Sequence, residues 1–501
     1  MSKLVKGVLI SGFPPILRIG IGFYLTSYLV SYLSIEDYGL WKLSVSLFAI
    51  AWMFQFGFNS VLGREIPSAL VNKQDKKIES LVSTVFYSYL IVAVIISAIT
   101  YAFLNEIISL FNFSGNDNAY WVFLVIVISY AIWMPLSIFR SVLLANRWFV
   151  SRANIESISH LVFLISVWGA TFFHYPVFVI AICSSGRLIF GVLVSFIYAL
   201  SKNLVYIPKI KHFDISIISS NLGFGLNSTV FSLAGFLLAN SSIWLAAILG
   251  NAVNVANISI SMQLSAVLTA LLSIMLIVIK PEISRLDAEN EHEKISFIYL
   301  NSIRTILLVS IPFAVFISFF NQQIISLWIG DGGGGFEGVN VYLCWFAAAQ
   351  VFWLYIQVSY FVVNALGKHK FIAFLTSISL LISVFCSYIM VKLFQDIELG
   401  LAVGLALPLA VSGVLILPIY MVKLLAIQFN CFYEVIIKQT IVPCLLIYLL
   451  MWLVSMRGFD MKEWLATLIL MLPYCLAVLW LFGINENEKR KMSYFFIKEG
   501  K

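Results

Sequence analysis

The feature that most constrains this chain is a succession of long apolar runs, each about as long as one membrane crossing. A helix needs ~20 consecutive apolar residues to span the hydrocarbon core of a bilayer. The 501-residue chain is 61% hydrophobic and only 11% charged, whereas soluble domains carry ~25% charged residues. The chain is therefore predicted to be an all-α polytopic membrane protein with about fourteen transmembrane helices. The predicted spans are 8–31, 43–62, 81–104, 120–139, 154–173, 177–199, 219–241, 256–279, 305–328, 340–362, 371–391, 399–421, 439–455 and 464–484.

The distribution of basic residues predicts the orientation. With the N-terminus placed in the cytoplasm, the inner segments hold 25 of the 31 Lys and Arg residues and the outer loops hold 4. Such an excess on one side is the positive-inside signal. Both termini are therefore predicted to be cytoplasmic, and the chain is expected in a bacterial inner membrane. Since the positive balance is explained by topology, it gives no reason to expect nucleic acid as a partner.

An internal repeat divides the predicted spans. The segment LLANRWFV (143–150) after span four is similar to NALGKHKF (364–371) after span ten. Each repeat unit holds six spans, and an even number places both copies on the same side of the membrane. This predicts two six-helix lobes related by a parallel repeat, with a binding site between them near the midplane. The predicted domains are an N-terminal lobe (1–205), a C-terminal lobe (206–430) and two extra helices with a basic tail (431–501).

Two arginines fall near the centres of predicted spans. Arg18 lies in span one and Arg187 in span six, and an Arg at the bilayer centre costs roughly 2.5–3.5 kcal/mol on insertion scales. Among the spans as drawn, the only carboxylate is Glu156, near one end of span five. The two arginines are therefore predicted either to bind an anion in a water-filled cavity or to hold helices together through backbone carbonyls.

Polar amides beside aromatic rings form a second candidate site. Gln350, Trp353 and Gln357 share one face of span ten. Amides and aromatic rings suit sugars, although the same amides could simply form interhelical hydrogen bonds worth ~0.6 kcal/mol each. The other candidates that line the cavity in this prediction are Trp52, Gln55, Asn59, Asn227 and Asn240.

No motif for catalysis, nucleotide binding or metal binding stands out. The six cysteines are single and widely spaced, and the run Gly332–Gly335 lacks the Lys-Ser/Thr that follows a phosphate-binding loop. We therefore expect no cofactor, no metal and no enzymatic activity.

Several segments resemble the polysaccharide-unit flippases (Wzx type) of the multidrug/oligosaccharidyl-lipid/polysaccharide exporter superfamily. They occur in the expected order over about 35–370. They are LSIEDYGLWKLSVSL (33–47), GREIPSAL (63–70), KPEISRLDAENE (280–291), SLWIGDGG (326–333) and NALGKHKF (364–371). Relatives often carry a charged residue late in span seven, where this chain has Asn240-Ser241-Ser242.

The resemblance implies two six-helix lobes around a V-shaped cavity and an undecaprenyl-diphosphate-linked oligosaccharide, of the O-antigen or capsule type, as substrate. It also implies a role in lipopolysaccharide or other polysaccharide biosynthesis, with a polymerase and a chain-length regulator as partners. In this interpretation Arg18 and Arg187 bind the diphosphate, and the amides and tryptophans bind the sugars.

Three alternatives stay open. A flippase for a lipid-linked peptidoglycan precursor would share the fourteen spans and the cationic cavity. A cation-coupled drug antiporter would share the lobes but would normally need buried carboxylates. A membrane glycosyltransferase or polymerase is the enzymatic alternative, and the short outer loops argue against it.

Overall fold

The computed structural model describes residues 3–48, 54–55, 58–146, 148–204, 207–330, 339–368 and 370–455. Over these residues the chain is helical and contains no strand. The predicted all-α fold is thereby confirmed. Span fourteen (464–484) lies outside the described residues.

Nine helices form the N-terminal lobe. They are α1 (Lys3–Tyr32), α2 (Ile35–Phe48), α3 (Phe58–Val71), α4 (Asp75–Ala102), α5 (Leu104–Leu110), α6 (Ala119–Leu136), α7 (Ile138–Ala145), α8 (Phe149–Phe172) and α9 (Val177–Ser201).

The C-terminal lobe repeats this order, including a short helix after its third membrane segment. Its helices are α10 (Ile215–Leu249), α11 (Ala252–Ala288), α12 (His292–Phe319), α13 (Asn321–Ile329), α14 (Val339–Ala365), α15 (Lys370–Phe394), α16 (Ile397–Val411) and α17 (Leu417–Leu424). Two further helices follow, α18 (Phe429–Tyr433) and α19 (Val442–Ser455), and π-helical turns occupy Ser412–Ile416 and Glu434–Ile441.

Ten helical segments of the described chain are long and apolar enough to cross a membrane. Their lipid-facing surface is apolar as well. Exposed side chains such as Ile165, Phe374 and Leu381 cover the outside of the bundle, where a soluble protein would present polar groups. The chain is therefore a multi-pass membrane protein.

Side-chain caps fix where the second lobe begins. The Asp214 carboxylate accepts hydrogen bonds from the Ser216 hydroxyl and backbone amide at the start of α10. These hydrogen bonds lower the pKa of Asp214 below its ordinary value. Asn251 and Asn254 form a reciprocal capping box at the start of α11. Each cap satisfies amides that the first turn of a helix leaves without a partner.

On one side of the membrane the two lobes touch through α1, α2 and the segment that joins α5 to α6 in the first lobe, and through the end of α10 and the first part of α11 in the second. At Gly39 of α2, an added Cβ would come within 2.1 Å of the Ala252 carbonyl oxygen, so only glycine allows this approach. The side-chain amide of Asn112, which follows α5, donates to the carbonyls of Ala247, Ile248 and Gly250 at 2.9, 3.0 and 3.1 Å. These contacts all lie on the side of the membrane opposite the N-terminal end of α1. The lobes are therefore closed together on the side that the charge bias predicts to be outer.

Candidate functional site

A cavity of about 250 Å³ lies within the N-terminal lobe and reaches α10 at Phe236. Four arginines line it, contributed by α1, α7, α8 and α9. The lining residues are Arg18, Val45, Phe48, Arg140, Arg152, Ile155, Glu156, Ser159, His160, Arg187, Leu188, Gly191, Ser195 and Phe236. We refer to it as the cationic cavity. It brings together the two arginines that the sequence placed in separate spans.

The arginines extend from one end of the membrane segment to its middle. Arg140 lies in the short helix α7, and Arg152 lies in the first turn of α8. Arg18 and Arg187 lie midway along α1 and α9. Along α8, His160 follows Arg152 by eight residues, a rise of ~12 Å. The cationic cavity therefore runs from the predicted cytoplasmic end of the lobe into the bilayer interior.

The positive charges are only partly compensated. A guanidinium nitrogen of Arg140 lies 3.2 Å from a Glu156 carboxylate oxygen, and the Arg187 guanidinium lies 5.8 Å from the centroid of the Phe163 ring. Among the described residues, Glu156 is the only carboxylate that lines the cavity, against four arginines. Their like charges repel one another in this setting of low dielectric. An anion that enters the cavity would therefore relieve an existing repulsion.

Unsatisfied polar atoms also face this region. The Arg152 Nε and His160 Nε2 atoms are buried and make no hydrogen bond within the described part of the chain. Buried polar groups are nearly always hydrogen-bonded in native proteins. A polar ligand or water would supply the missing partner.

Small residues make room for the arginines. An added Cβ at Gly191 would lie 3.1 Å from the Ser159 hydroxyl oxygen, so a larger residue would crowd the contact between α8 and α9. Gly191 and Ser195 both line the cationic cavity, on the same face of α9 as Arg187. Small residues therefore lie beside Arg187 in the cationic cavity.

Sequence reasoning missed Arg140 and Arg152 because both lie close to span ends. The predicted spans end at 139 and begin again at 154, so both arginines fall in the cytoplasmic loop between them and contribute to the positive-inside signal. The spacing of Arg152, Glu156 and His160, four residues apart along α8, places them on one helix face. That periodicity was the available signal.

The amide candidates lie apart from the cationic cavity. The Gln350 side-chain oxygen accepts a hydrogen bond of 2.5 Å from the Thr269 hydroxyl, within the C-terminal lobe. Trp353 packs against α10, where a Cβ added at Gly235 would meet its ring at 2.6 Å. The Gln357 Oε1 atom is buried and lacks a hydrogen-bond partner in the described structure. Phe236, the residue after Gly235, reaches the cationic cavity, so α10 runs between the two groups.

The remaining candidates make local contacts or cannot be placed. Gln55 is buried and donates to the Ser137 hydroxyl at 3.1 Å, and Asn240 donates to the Phe236 carbonyl of its own helix at 2.8 Å. Neither is among the residues that line the cationic cavity. Trp52 and the side chains of Asn59 and Asn227 lie outside the described residues.

The C-terminal lobe contains a buried carboxylate that the predicted spans left out. Glu398, in the first turn of α16, is 5% exposed. One of its oxygens accepts hydrogen bonds of 2.9 Å from the side-chain amides of Asn254 and Asn257. Charged residues inside membrane segments are often functional. In the parts of the chain that are described, no three His, Cys, Asp or Glu residues cluster as metal ligands would.

A second, larger cavity of about 850 Å³ lies between the C-terminal lobe and the helices that follow it. We call it the apolar cavity. No charged side chain of the described residues lines it. Its walls come from α12, α14, the π-helical turns and α17–α19, and include Ile311, Ala348, Phe352, Phe432 and Tyr448.

Comparisons with known proteins establish the family. A family model described as "Polysaccharide biosynthesis protein" matches residues 29–332. The match covers more than half of the chain, which therefore belongs to this family. No curated protein matches the chain.

Solved structures establish the fold, which is that of the MOP superfamily transporters. The chain is 17% identical to the lipid II flippase MurJ in an inward closed conformation, covering 99% of this chain and 100% of that one with a TM-score of 0.69. An inward-facing multidrug resistance MATE transporter is 15% identical; the match covers 84% of this chain and 99% of that one, with a TM-score of 0.68. A MOP superfamily transporter from Pyrococcus furiosus is 16% identical; the match covers 84% of this chain and 97% of that one, with a TM-score of 0.56.

Proposed function

We propose that this chain is a flippase that moves undecaprenyl-diphosphate-linked oligosaccharide units, of the O-antigen or capsule type, across a bacterial inner membrane. The units would pass from the cytoplasmic to the outer leaflet by alternating access, with both termini of the protein in the cytoplasm. The observation that carries the proposal is the cationic cavity, which is built within a membrane-embedded lobe. Membership in a polysaccharide biosynthesis family supports it.

The charge of the cavity matches a diphosphate. Taking phosphate charge out of water is costly unless cations and hydrogen-bond donors replace the water. Arginine suits this task because its planar guanidinium donates two parallel hydrogen bonds to phosphate oxygens. Four arginines with one carboxylate leave a surplus of positive charge at the site. A lipid-linked diphosphate would neutralise that surplus.

The amide face of α14 is the proposed sugar contact. The Gln357 Oε1 atom has no hydrogen-bond partner in the described structure, and a sugar hydroxyl could donate to it. Trp353, one turn earlier on the same face, offers a ring against which the C–H face of a sugar could pack. Gln350 would first have to exchange its hydrogen bond with Thr269.

The membrane potential would favour export of an anion. With the interior negative, outward movement is favourable by ~2.3 kcal/mol per elementary charge per 100 mV. A polymerase and a chain-length regulator are the expected partners under this proposal. No catalytic step is assigned to the chain itself.

Two alternatives use parts of the same structure. A flippase for a lipid-linked peptidoglycan precursor would present the same diphosphate to the cationic cavity and would differ only in its sugar contacts. A cation-coupled antiporter gains support from Glu398, the buried carboxylate that its coupling would need.

The test is complementation of a strain that lacks its O-antigen flippase, with surface polysaccharide as the readout. The wild type and Arg18→Ala should be compared at matched membrane abundance. Arg285→Ala is the control, because Arg285 is exposed and pairs with Glu282 and Glu289 at the end of α11. We expect restoration by the wild type and by Arg285→Ala, and loss with Arg18→Ala.

Other outcomes identify which part fails. Full restoration by Arg18→Ala would remove Arg18 from the site but leave the flippase assignment. Rescue of a strain depleted of its peptidoglycan-precursor flippase, without any rescue of O-antigen, would favour that alternative. Increased drug resistance without rescue of either strain would favour the antiporter.

A further inference from the structure

A single amide from the C-terminal lobe fills the space between α1 and α2. The Gln263 Oε1 atom of α11 accepts hydrogen bonds from the Lys42 ammonium at 2.6 Å and from the Thr26 hydroxyl at 3.0 Å. Its Nε2 atom donates to the Gly22 carbonyl oxygen at 3.0 Å. Lys42 therefore lies in α2 at the contact between lobes, rather than in the outer loop expected from the sequence. We call Gly22, Thr26, Lys42 and Gln263 the interlobe cluster.

The Lys42 ammonium lacks an anionic partner. Its nitrogen lies 4.9 Å from the centroid of the Trp41 ring and 5.3 Å from that of Tyr38. No ion pair involving Lys42 occurs between described residues, and its one hydrogen-bond acceptor there is the neutral Gln263 amide. The hydrogen bond from Lys42 to Gln263 has a charged donor but a neutral acceptor, whereas a phosphate oxygen would add the attraction between opposite charges at the same nitrogen. A phosphate oxygen would therefore displace the Gln263 amide from Lys42.

The interlobe cluster lies beyond the Arg18 end of the cationic cavity, and none of its four residues is among those that line the cavity. Gly22 and Thr26 follow Arg18 on the same face of α1, at a distance of ~6 and ~12 Å along the helix. On α2, Val45 lines the cavity one turn after Lys42. A ligand that leaves Arg18 for the opposite side of the membrane would therefore meet this cluster next.

Separation of the lobes would break the contact of Lys42 with Gln263. Close to the cluster, the Trp328 indole of α13 donates to the Phe23 carbonyl at 2.9 Å and its ring stacks on that of Phe23. These contacts join α1 and α2 to α11 and α13 on one side of the membrane. Opening that side would leave Lys42 on one lobe and Gln263 on the other.

We propose that Lys42 is a further phosphate-binding residue, masked by Gln263 in this conformation and exposed to the diphosphate when the lobes separate on the predicted outer side. The inference rests on the proposed function and adds a cation at the exit end of the path. The cationic residues would then act at different steps of transport. The arginines would bind the diphosphate first, and Lys42 would bind it when the outer side opens.

The test measures flipping and binding separately. Flipping would be followed in proteoliposomes with a fluorescent polyprenyl-diphosphate-linked sugar, and binding to the purified protein would be measured with geranylgeranyl diphosphate. We expect Lys42→Gln to slow flipping by about 10-fold, the loss of one charge-assisted hydrogen bond. Affinity for geranylgeranyl diphosphate should stay within about twofold of the wild type, since the arginines supply it in this conformation. Lys42→Arg should retain most of the flipping rate.

The control is Lys392→Gln. Lys392 also lies on the predicted outer side and over an aromatic ring, 5.8 Å from that of Tyr388, but it is exposed and outside the interlobe cluster. The Lys392→Gln variant should flip the lipid at the wild-type rate.

Gln263→Leu separates phosphate binding from a purely mechanical contact. This variant removes the amide that accepts the hydrogen bond of Lys42 but keeps Lys42 itself. Under the proposal, flipping should therefore be retained. If Lys42 only holds the lobes together, Gln263→Leu and Lys42→Gln should behave alike, and that result would overturn the proposal. If the wild type flips the lipid and Lys42→Gln flips it at the same rate, the proposal for Lys42 is overturned as well, while the flippase assignment stands. A wild type that flips no diphosphate lipid would overturn both.

Discussion

Two cavities of this molecule differ in chemistry: one lies within the N-terminal lobe, and the other lies between the C-terminal lobe and the helices that follow it. The cationic cavity of the N-terminal lobe is about 250 Å³ and carries four arginines. The apolar cavity is about 850 Å³ and is lined mainly by aliphatic and aromatic side chains. The helices that follow the repeat thus help to enclose an apolar space, whereas the charged space is built mainly from the first lobe. The comparison predicts that diphosphate recognition depends on the smaller cavity.

The largest expected effect comes from removing both central arginines. Arg18→Ala combined with Arg187→Ala should weaken geranylgeranyl diphosphate binding by at least about 100-fold, because each charge-assisted hydrogen bond contributes ~1.5 kcal/mol or more. Calorimetric titration of the purified protein measures this, with Arg285→Ala as the control. A loss below about threefold would show that these arginines serve helix packing instead.

A smaller effect, of opposite sign, is expected from Glu156. Glu156→Gln removes the one carboxylate found in the cationic cavity of the described structure and frees Arg140 from its ion pair. Diphosphate binding should tighten by about three- to tenfold, a modest gain because the Arg140 and Glu156 side chains are 20% and 33% exposed and solvent partly screens the pair. Weaker binding would instead mean that Glu156 holds Arg140 in its binding geometry. Glu282→Gln, which alters an exposed pair with Arg285, is the control.

The smallest effect is expected from filling the apolar cavity. Ala348→Trp places a large ring there without changing any charge, and the lipid tail can stay in the bilayer during transport. We expect geranylgeranyl diphosphate affinity and the flipping rate to change by less than about twofold. Leu381→Trp, at an exposed position on α15, is the matched control. Strong inhibition by Ala348→Trp alone would show that this cavity takes part in transport and would break the contrast between the two cavities.

Much of the fold could be predicted because helix length and hydropathy are local properties. The sequence also singled out Arg18 and Arg187, since a charge at mid-span is costly wherever the helix faces. Arg140 and Arg152 could not be assigned in the same way. The position of an arginine near a span end is equally compatible with contact to lipid headgroups and with a place in a cavity, and only the rotation and packing of α7 and α8 decide between them.

Helix boundaries caused the other differences. The predicted spans begin at 43 and 399, directly after Lys42 and Glu398. An apolar run, by definition, stops at the first charged residue, so both residues were predicted to lie outside the membrane helices. In the structure, α2 begins at Ile35 with Glu36 and Asp37 in its first turn, and Glu398 lies in the first turn of α16. Carboxylates are favourable at helix N-termini, so both helices extend past the hydropathy boundary. The pairing of Lys42 with Gln263 joins positions 221 residues apart, which no local pattern encodes.

The Asn112 side chain has a mechanical consequence. Its amide group carries two hydrogens and is shared among three carbonyl oxygens at the turn between α10 and α11. One side chain therefore ties the N-terminal lobe to the turn at which the C-terminal lobe passes from α10 to α11. Three backbone carbonyls at that turn depend on this single amide for a hydrogen-bond donor from the other lobe.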